Sequence, residues 1–206
     1  MVQHGTVLVT SPARTLVDCA RHLPAQDVLA MADCALRRED VSPPALASAL
    51  HESAGRRGIE RARQVLALAD GRRETPFESW SAWTFAVQKV QPPAWQATVL
   101  DDEGVFLGRT DAWWKEGVAG EADGRTKYRL GALERTGAVD AEGLAGTLDD
   151  ERRRERELRR AGVLIVRWEA RDVLQPDRQR RLAVQLGREL DEARRHPRFT
   201  GKVLML

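Results

Sequence analysis

The sequence has few of the residues from which many catalytic and metal sites are built. Its 206 residues include two cysteines, four histidines and one tyrosine. Cys19 and Cys34 fall in helical patterns without a partner motif, so we interpret them as small buried hydrophobic residues of a reducing compartment. The four histidines do not have the spacing of zinc ligands, which argues against a zinc site: His4, His22, His51 and His196.

Long hydrophobic runs are also absent from the sequence. No run of about 18 apolar residues occurs, and the N-terminal MVQHGTVLVT lacks the basic region and long apolar stretch of a signal peptide. The sequence contains no glycine-rich phosphate loop, nucleophile elbow or dinucleotide fingerprint. We therefore expect a cytoplasmic protein that has no membrane partner.

Charge is distributed unevenly, although the formal net charge is only +2. Residues 151–198 contain 15 arginines, no lysine and 9 acidic residues, a net charge of +6 that leaves −4 for the remainder. A carboxylate-rich part beside an arginine-rich part fits a metal-dependent reaction on a polyanion. Solvated helix faces with many ion pairs explain the same arginines without function.

Residues 1–72 are predicted to form a small helical domain. After a short extended segment, His4–Thr10, the pairs Ser11-Pro12 and Ser42-Pro43 are typical of an N-cap followed by the first helical residue. Apolar residues then recur at helical spacing in four segments. The polar segment that begins at Asp70 marks the predicted boundary.

Residues 73–206 are predicted to form an α/β (α+β) domain with a mixed central sheet flanked by helices. The expected order is a helix from Thr75 to about Val90, a three-strand meander through Asp123, a polar loop, a helix over about 141–160, a strand and a long helix after Pro176. The apolar run VLIVRW (163–168) predicts a strand buried on both faces, joined by a βαβ crossover to strand 118–123.

The stretch VFLGRTDAWWKEGVAGEADGRTKY (105–128) concentrates acidic residues on two predicted strands. Glu121 and Asp123 point to one side of a sheet because side chains alternate along a strand. A hairpin would bring Asp111 near them, and three such acids stay ionised at low cost only if water, a basic side chain or a cation neutralises them. A divalent cation with oxygen ligands, Mg²⁺ or Mn²⁺, is the functional explanation.

Glu78 has two interpretations that the sequence leaves open. With Thr75 as N-cap, Glu78 three residues later completes a capping box. Alternatively, Glu78 projects toward the acidic sheet as a further carboxylate. Lys127 and Tyr128 follow the acidic strand closely enough to reach a bound ligand.

The ordered set of acids resembles a restriction-endonuclease-like fold of the PD-(D/E)xK type. The resemblance rests on Glu78, Asp111, the run Glu121-Ala-Asp123-Gly and the strand that ends Val-Arg-Trp, and it is to very-short-patch-repair-like endonuclease domains. The preceding VTSPARTLVDCAR is similar to the helical region of the AbiEi antitoxins of AbiE abortive-infection systems. Those antitoxins usually carry an N-terminal winged helix, which this sequence lacks, so we expect a truncated chain.

The resemblance implies a metal-dependent DNA endonuclease. It implies Asp111, Glu121 and Asp123 as metal ligands, and as catalytic residues these three with Lys127 and Glu78. Asp123 stands where the family has lysine, a substitution that weakens charge stabilisation unless Lys127 replaces it. The residues expected to contact nucleic acid are Lys127, Tyr128, Arg152, Arg153, Arg156 and Arg160.

Two alternatives to the nuclease remain at this stage. A non-catalytic antitoxin or transcriptional regulator would use the nuclease-like fold only to bind a toxin protein or DNA, and the missing lysine favours this. An inactive remnant would pair its acids with neighbouring arginines such as Arg109 and Arg125.

Overall fold

The first helices begin where the capping signals predict. The computed structural model describes residues 2–123 and 141–205 and divides the chain into two compact units, Met1–Thr84 (unit 1) and Phe85–Leu206 (unit 2). In unit 1 an antiparallel hairpin precedes a series of helices: β1 (Val2–His4), β2 (Val7–Val9), α1 (Pro12–His22), α2 (Ala25–Arg37), α3 (Pro43–Glu52) and α4 (Ile59–Leu66). The Ser11 and Ser42 hydroxyls each accept a hydrogen bond of 3.3 Å from the amide three residues later. The predicted caps are confirmed.

The hairpin differs from the single extended segment predicted for His4–Thr10. Gly5 has a φ of +60°, which is accessible to glycine at little cost and lets the chain reverse between β1 and β2. The valines and leucine of β2 are all exposed. The hairpin therefore presents apolar side chains at the surface of unit 1.

The core of unit 1 consists of the apolar stripes of α1 to α4. Its members are 6% exposed or less: Ala13, Leu16, Val17, Ala20, Val28, Leu29, Ala32, Val41, Leu46, Ala49, Ile59, Ala62, Val65 and Leu66. This matches the helical spacing from which the domain was predicted. The core is formed entirely within the first 66 residues, with Ala82 and Trp83 packed against it.

A buried ion pair connects the core of unit 1 to the segment that follows it. The Asp33 carboxylate of α2 accepts hydrogen bonds from Arg73, from the Asp70 amide (2.8 Å) and from the Ser79 hydroxyl (2.6 Å). Asp33 and Arg73 are 1% and 3% exposed. These contacts lie within unit 1, and the division between the units falls after Thr84, within helix α5 (Pro76–Val87). The domain boundary at 72/73 remains a prediction.

The buried face of α5 is largely polar. Glu78, Ser79, Ser81 and Thr84 are buried, whereas Val87 near the end of the helix is 50% exposed. Hydrogen bonding permits this burial of polar groups, as in the bond of 2.8 Å that the Ser81 hydroxyl donates to the Phe77 carbonyl. Apolar spacing alone could not reveal a polar buried face.

Unit 2 is built on the mixed sheet that the sequence predicts. Its strands are β3 (Ala94–Leu100), β4 (Phe106–Trp114), β5 (Val118–Asp123), β6 (Leu164–Glu169) and β7 (Lys202–Leu204), in the order β6-β5-β4-β3-β7. Only the pairing of β5 with β6 is parallel, and α6 (Ala141–Arg160) lies between these strands in the sequence. Helices α7 (Ala170–Leu174) and α8 (Pro176–Arg195) follow β6. The α/β class and the parallel crossover are confirmed.

The prediction that β6 is buried on both faces, as in a sheet interior, is wrong. Among the described strands β6 lies at one edge of the sheet, and its Arg167 and Glu169 are exposed while Val166 and Trp168 are buried. The C-terminal tail, which no sequence pattern assigned, supplies β7 at the opposite edge. None of the described helices is long and apolar enough to cross a membrane.

Aromatic residues pack on one face of the sheet of unit 2. Phe85 contacts Trp95, Trp114 and Trp168, with ring centroids 5.3–6.3 Å apart. On the other face, Leu158 of α6 packs with Trp113, Ala119 and other apolar side chains. The side of β5 that carries Ala119 also carries Glu121, since the two residues are two positions apart.

Candidate functional site

Asp111 lies at the point where β4 stops pairing with β5. The paired residues are Trp114–Val118, Trp113–Ala119 and Ala112–Gly120, so the next positions along the two strands are Asp111 and Glu121. There, the Ala122 amide donates a hydrogen bond of 2.9 Å to Asp111 Oδ2. The Asp111 carboxylate thus binds the backbone of β5 beyond the last paired residue.

Glu121 is held by two arginines from different elements. Arg154 of α6 donates to Glu121 Oε1 at 2.9 Å, and Arg167 of β6 donates to Oε2 at 2.8 Å. The Glu121 side chain is only 13% exposed. Both oxygens therefore accept charge-assisted hydrogen bonds, which are about twice as strong as neutral ones.

The ion pairs continue from Arg167 along α6. Arg167 Nη2 donates to Glu155 Oε2, and Arg159 binds the other oxygen of Glu155, both at 2.9 Å. The hydrogen bond from Arg167 lowers the pKa of Glu155, and Arg159 lowers it further. The pKa of Arg167 is raised, chiefly by its hydrogen bond to Glu155. We call Glu121, Arg154, Glu155, Arg159 and Arg167 the Glu121 network.

Arg154 of α6 also contacts the backbone of β4. Its Nη1 donates to the Arg109 carbonyl at 2.9 Å. A Cβ atom added to Gly108 would lie 2.9 Å from Arg154 Cδ, so the absence of a side chain at Gly108 lets the arginine cross the strand. Arg154 thereby joins β4 to β5 as well as neutralising Glu121.

The remaining predicted metal ligand lies at the end of β5. Asp123 is exposed and is opposite Glu169 of β6 in the parallel register. Within residues 2–123 and 141–205, no three His, Cys, Asp or Glu side chains are grouped closely enough to hold a metal ion. Lys127 and Tyr128 lie outside the described residues.

The donor set around Glu121 does not fit a divalent cation in this arrangement. A metal ion that binds Glu121 must displace two guanidinium groups, and their positive charge opposes a second cation at the same oxygens. We therefore derive no chemical step through Mg²⁺ or Mn²⁺. Asp111, Glu121 and Asp123 as metal ligands remain a prediction.

Glu78 makes capping contacts at the start of α5 that correspond in part to the predicted capping box. Its Oε2 accepts from the Glu74 amide (3.0 Å), its Oε1 accepts from the Thr75 hydroxyl (2.8 Å), and its own amide donates to Thr75 Oγ1 (3.3 Å). Glu78 belongs to unit 1, whereas Asp111 and Glu121 belong to unit 2. A catalytic role for Glu78 remains a prediction.

The arginines predicted to contact nucleic acid lie on the solvent side of α6: Arg152, Arg153, Arg156 and Arg160 are all exposed. Arg153 lies 3.8 Å from Glu157, a long ion pair. The predicted contact of these arginines with nucleic acid remains a prediction.

Sequence reasoning missed Arg154 and Arg167 as partners of Glu121, although two signals were present. Arg154 precedes the buried Leu158 by four residues and so lies on the same face of α6. Arg167 lies opposite Glu121 once the parallel register of β5 and β6 is known. The remnant alternative named Arg109 and Arg125, which are near the acids in sequence; Arg125 lies outside the described residues.

The helical part of unit 1 resembles a known antitoxin domain. Residues 1–68 match the family described as the AbiEi antitoxin C-terminal domain. This confirms the AbiEi-like part of the sequence prediction, and it concerns less than half of the chain.

Two curated relatives match a segment of this chain of similar length. They are uncharacterized proteins of Mycobacterium tuberculosis, from strains CDC 1551 / Oshkosh and ATCC 25618 / H37Rv, and each is 44% identical to this chain over 72 residues. The matched segment covers 35% of this chain and 27% of each relative, so the chain spans about a quarter of the length of the curated relatives it matches. No solved structure is significantly similar to it.

Proposed function

We propose that this chain is a non-catalytic antitoxin of an AbiE-type toxin–antitoxin system, which neutralises a toxin protein by binding it. The observation that carries the proposal is the match of residues 1–68 to the AbiEi antitoxin C-terminal domain. The matched region coincides with the helical core of unit 1.

The surface of unit 1 supports a binding role. Val7 and Leu8 of the hairpin are 59% and 64% exposed, and clustered exposed apolar residues are typical of interaction sites. The residues that follow the hairpin, Thr10 and Ser11, line a hollow of about 730 Å³ between the start of α1 and α3. Its lining also includes Arg14, Glu52 and Arg56. Apolar side chains beside a hollow rimmed by charges fit a protein partner better than a small ligand.

The Glu121 network supports the non-catalytic form of the proposal. Glu121 is the second acid of the predicted nuclease site, yet both its oxygens are neutralised by arginines. A transcriptional regulator that binds DNA without cleaving it is compatible with the same network.

The competing function, a metal-dependent endonuclease, retains one favourable observation. The strand register brings Asp111 and Glu121 to neighbouring positions where β4 and β5 separate. If this function is correct, duplex, nicked or single-stranded DNA is cut with Mg²⁺ or Mn²⁺, and Asp111→Ala abolishes the cutting. If the chain is a non-catalytic antitoxin, neither the parent protein nor Asp111→Ala cleaves DNA.

The antitoxin proposal is tested by growth rescue. The toxin gene of the same operon is expressed in a bacterial host with and without this chain, and restored growth is the expected result. Leu8→Ser should weaken the rescue because it removes an exposed apolar contact, whereas Leu174→Ser, at a 44% exposed position of unit 2, should not. Growth arrest that persists with full expression of the chain contradicts the proposal. A gel shift with the operon's own promoter distinguishes the regulator.

A further inference from the structure

Three arginines surround a small cleft in unit 2, at the place where β6, α7 and α8 meet. The cleft has a volume of about 90 Å³. It is lined by Arg167, Asp172, Arg178, Arg181, Leu182 and Gln185, and we call it the α8 cleft. Its lining thus carries three positive charges against one negative charge.

Two of the arginines are held in place before any ligand arrives. Arg167 is bound through Nε to Glu121 and through Nη2 to Glu155, and Arg178 is bound through Nη1 to Asp172 at 3.3 Å. A guanidinium has five N–H donors, so these bonds leave others for a ligand. Donors fixed in advance reduce the conformational entropy lost on binding.

The third arginine is uncompensated. Arg181 is exposed and forms no ion pair with any acidic residue that the structure describes. Gln185, one turn further along the helix, is exposed and adds an amide donor. The α8 cleft therefore offers several N–H donors and a surplus of positive charge, which is the chemistry that binds a phosphate group.

The cationic surface extends along α8 beyond the cleft. Arg181 and Gln185 also line a second hollow, of about 460 Å³, together with Arg180, Val184, Arg188 and Glu189. Arg180 and Arg188 are exposed and, like Arg181, have no ion pair among the described residues. Two acids near the far end of α8 are paired, Asp191 with Arg194 and Glu192 with Arg195. Glu189 is the one acid in the lining of the second hollow, against three arginines.

The arginines of α8 extend over a length that fits several phosphates of a polymer better than one small anion. Arg178 and Arg188 are ten residues apart, which is about 15 Å along a helix. One strand of a duplex presents roughly four phosphates over that length. A lone phosphate would occupy only the cleft and leave Arg180 and Arg188 without a role.

We propose that the α8 cleft and the arginines of α8 bind the phosphodiester backbone of a nucleic acid, with one phosphate between Arg167, Arg178 and Arg181. This surface is separate from the arginines of α6 that the sequence predicts. It lies outside residues 1–68, so it does not depend on the antitoxin proposal. Because phosphate contacts carry no base information, binding tolerates changes of sequence and weakens with salt.

The proposal is tested with the full chain and a fluorescently labelled random-sequence duplex of about 20 base pairs. Anisotropy titrations between about 50 and 200 mM NaCl give the affinity and its salt dependence. Arg181→Ala should weaken binding about tenfold at the lower salt and reduce the slope of log affinity against log salt by about one. Arg188→Ala should do the same to a smaller extent.

Arg195→Ala is the matched control. Arg195 is an exposed arginine of the same helix, about 21 Å from Arg181, and its partner is Glu192. Its removal should leave affinity and salt slope unchanged, and all three variants should retain the melting temperature of the parent because their side chains are exposed.

Three results would overturn the proposal. The first is the absence of duplex binding at the lowest salt. The second is equal affinity in Arg181→Ala and Arg195→Ala, which would place the contact elsewhere. The third is displacement of the duplex by inorganic phosphate at the same total phosphate concentration, since this would assign the cleft to a small anion.

Discussion

Asp33 is a charge buried within the helical core, and the structure balances it completely. Arg73, Ser79 and the Asp70 amide all donate to its two oxygens. Removing one member of a buried ion pair leaves the other charge without compensation, which usually costs about 3–5 kcal/mol. We expect Asp33→Ala to lower the free energy of unfolding by this amount, measured by urea denaturation.

Asp18 provides a control for that measurement. It also lies on a helix of unit 1 and pairs with two arginines, Arg14 and Arg21, but its side chain is 34% exposed. Exposed ion pairs contribute at most about 1 kcal/mol. Equal losses in Asp18→Ala and Asp33→Ala would mean that burial does not set the cost.

Glu155 makes stability depend on pH in a direction that follows from its partners. The hydrogen bond from Arg167 lowers the pKa of Glu155 in the folded protein below the ordinary glutamate value of 4.5. Stability from this pair is therefore present above about pH 4.5 and is lost as the pH falls through the lowered pKa. In Glu155→Gln this contribution is absent at every pH.

The test is a series of unfolding curves from pH 7 downward. The parent should be more stable than Glu155→Gln at neutral pH, and the difference should shrink below pH 4.5, the ordinary pKa of a glutamate. A difference that is constant over the whole series would show that packing, not ionisation, gives Glu155 its effect.

Strand β5 packs so closely against its neighbours that it needs glycine at position 120. A Cβ atom there would lie 2.7 Å from Trp168 and 2.9 Å from Trp114, closer than carbon atoms approach. Overpacking of this kind typically costs about 1–3 kcal/mol. We expect Gly120→Ala to lower the melting temperature, as measured by circular dichroism.

Gly187 in α8 is the opposite case. Apart from its chain neighbours and the adjacent backbone of its own helix, no atom lies within 4 Å of a Cβ built there, and alanine is favoured over glycine in a helix by about 0.5–1 kcal/mol. Gly187→Ala should therefore raise the melting temperature. If both alanine variants melt lower than the parent, the close packing around β5 does not explain the first result.

The elements that sequence predicted well are those whose signal is local. Caps such as Ser11 and Ser42, and apolar stripes at helical spacing, placed α1 to α4 because both depend on residues within one or two turns. The edge position of β6 and the pairing of the tail with β3 depend on the order of strands across the sheet. The partners of Glu121 required that same order, since Arg167 is 46 residues away in sequence.

At the scale of the whole molecule, the contacts of Asp33 extend across the boundary that the polar composition of the sequence predicts. The segment that begins at Asp70 is polar and predicts a domain boundary, yet Arg73 and Ser79 donate hydrogen bonds to Asp33. The side chain that neutralises the buried aspartate thus lies just beyond the predicted boundary at residue 72.

Two fragments of the chain, residues 1–88 and residues 1–72, test whether the folded N-terminal unit extends beyond residue 72. Residues 1–88 contain the whole core of unit 1, helix α5 and all partners of Asp33, so we expect this fragment to fold alone and unfold cooperatively. Residues 1–72 contain the same helical core but lack Arg73, which leaves Asp33 buried without its counter-ion. The shorter fragment should be less stable by about 3–5 kcal/mol.

Urea unfolding of both fragments, followed by circular dichroism, measures this difference. Asp33→Ala should remove most of the additional free energy of unfolding of fragment 1–88. It should change the free energy of unfolding of fragment 1–72 little, because the aspartate there has already lost Arg73. If the two fragments are equally stable and respond equally to Asp33→Ala, then Arg73 does not hold the segment to the core and the sequence-predicted boundary is the better one.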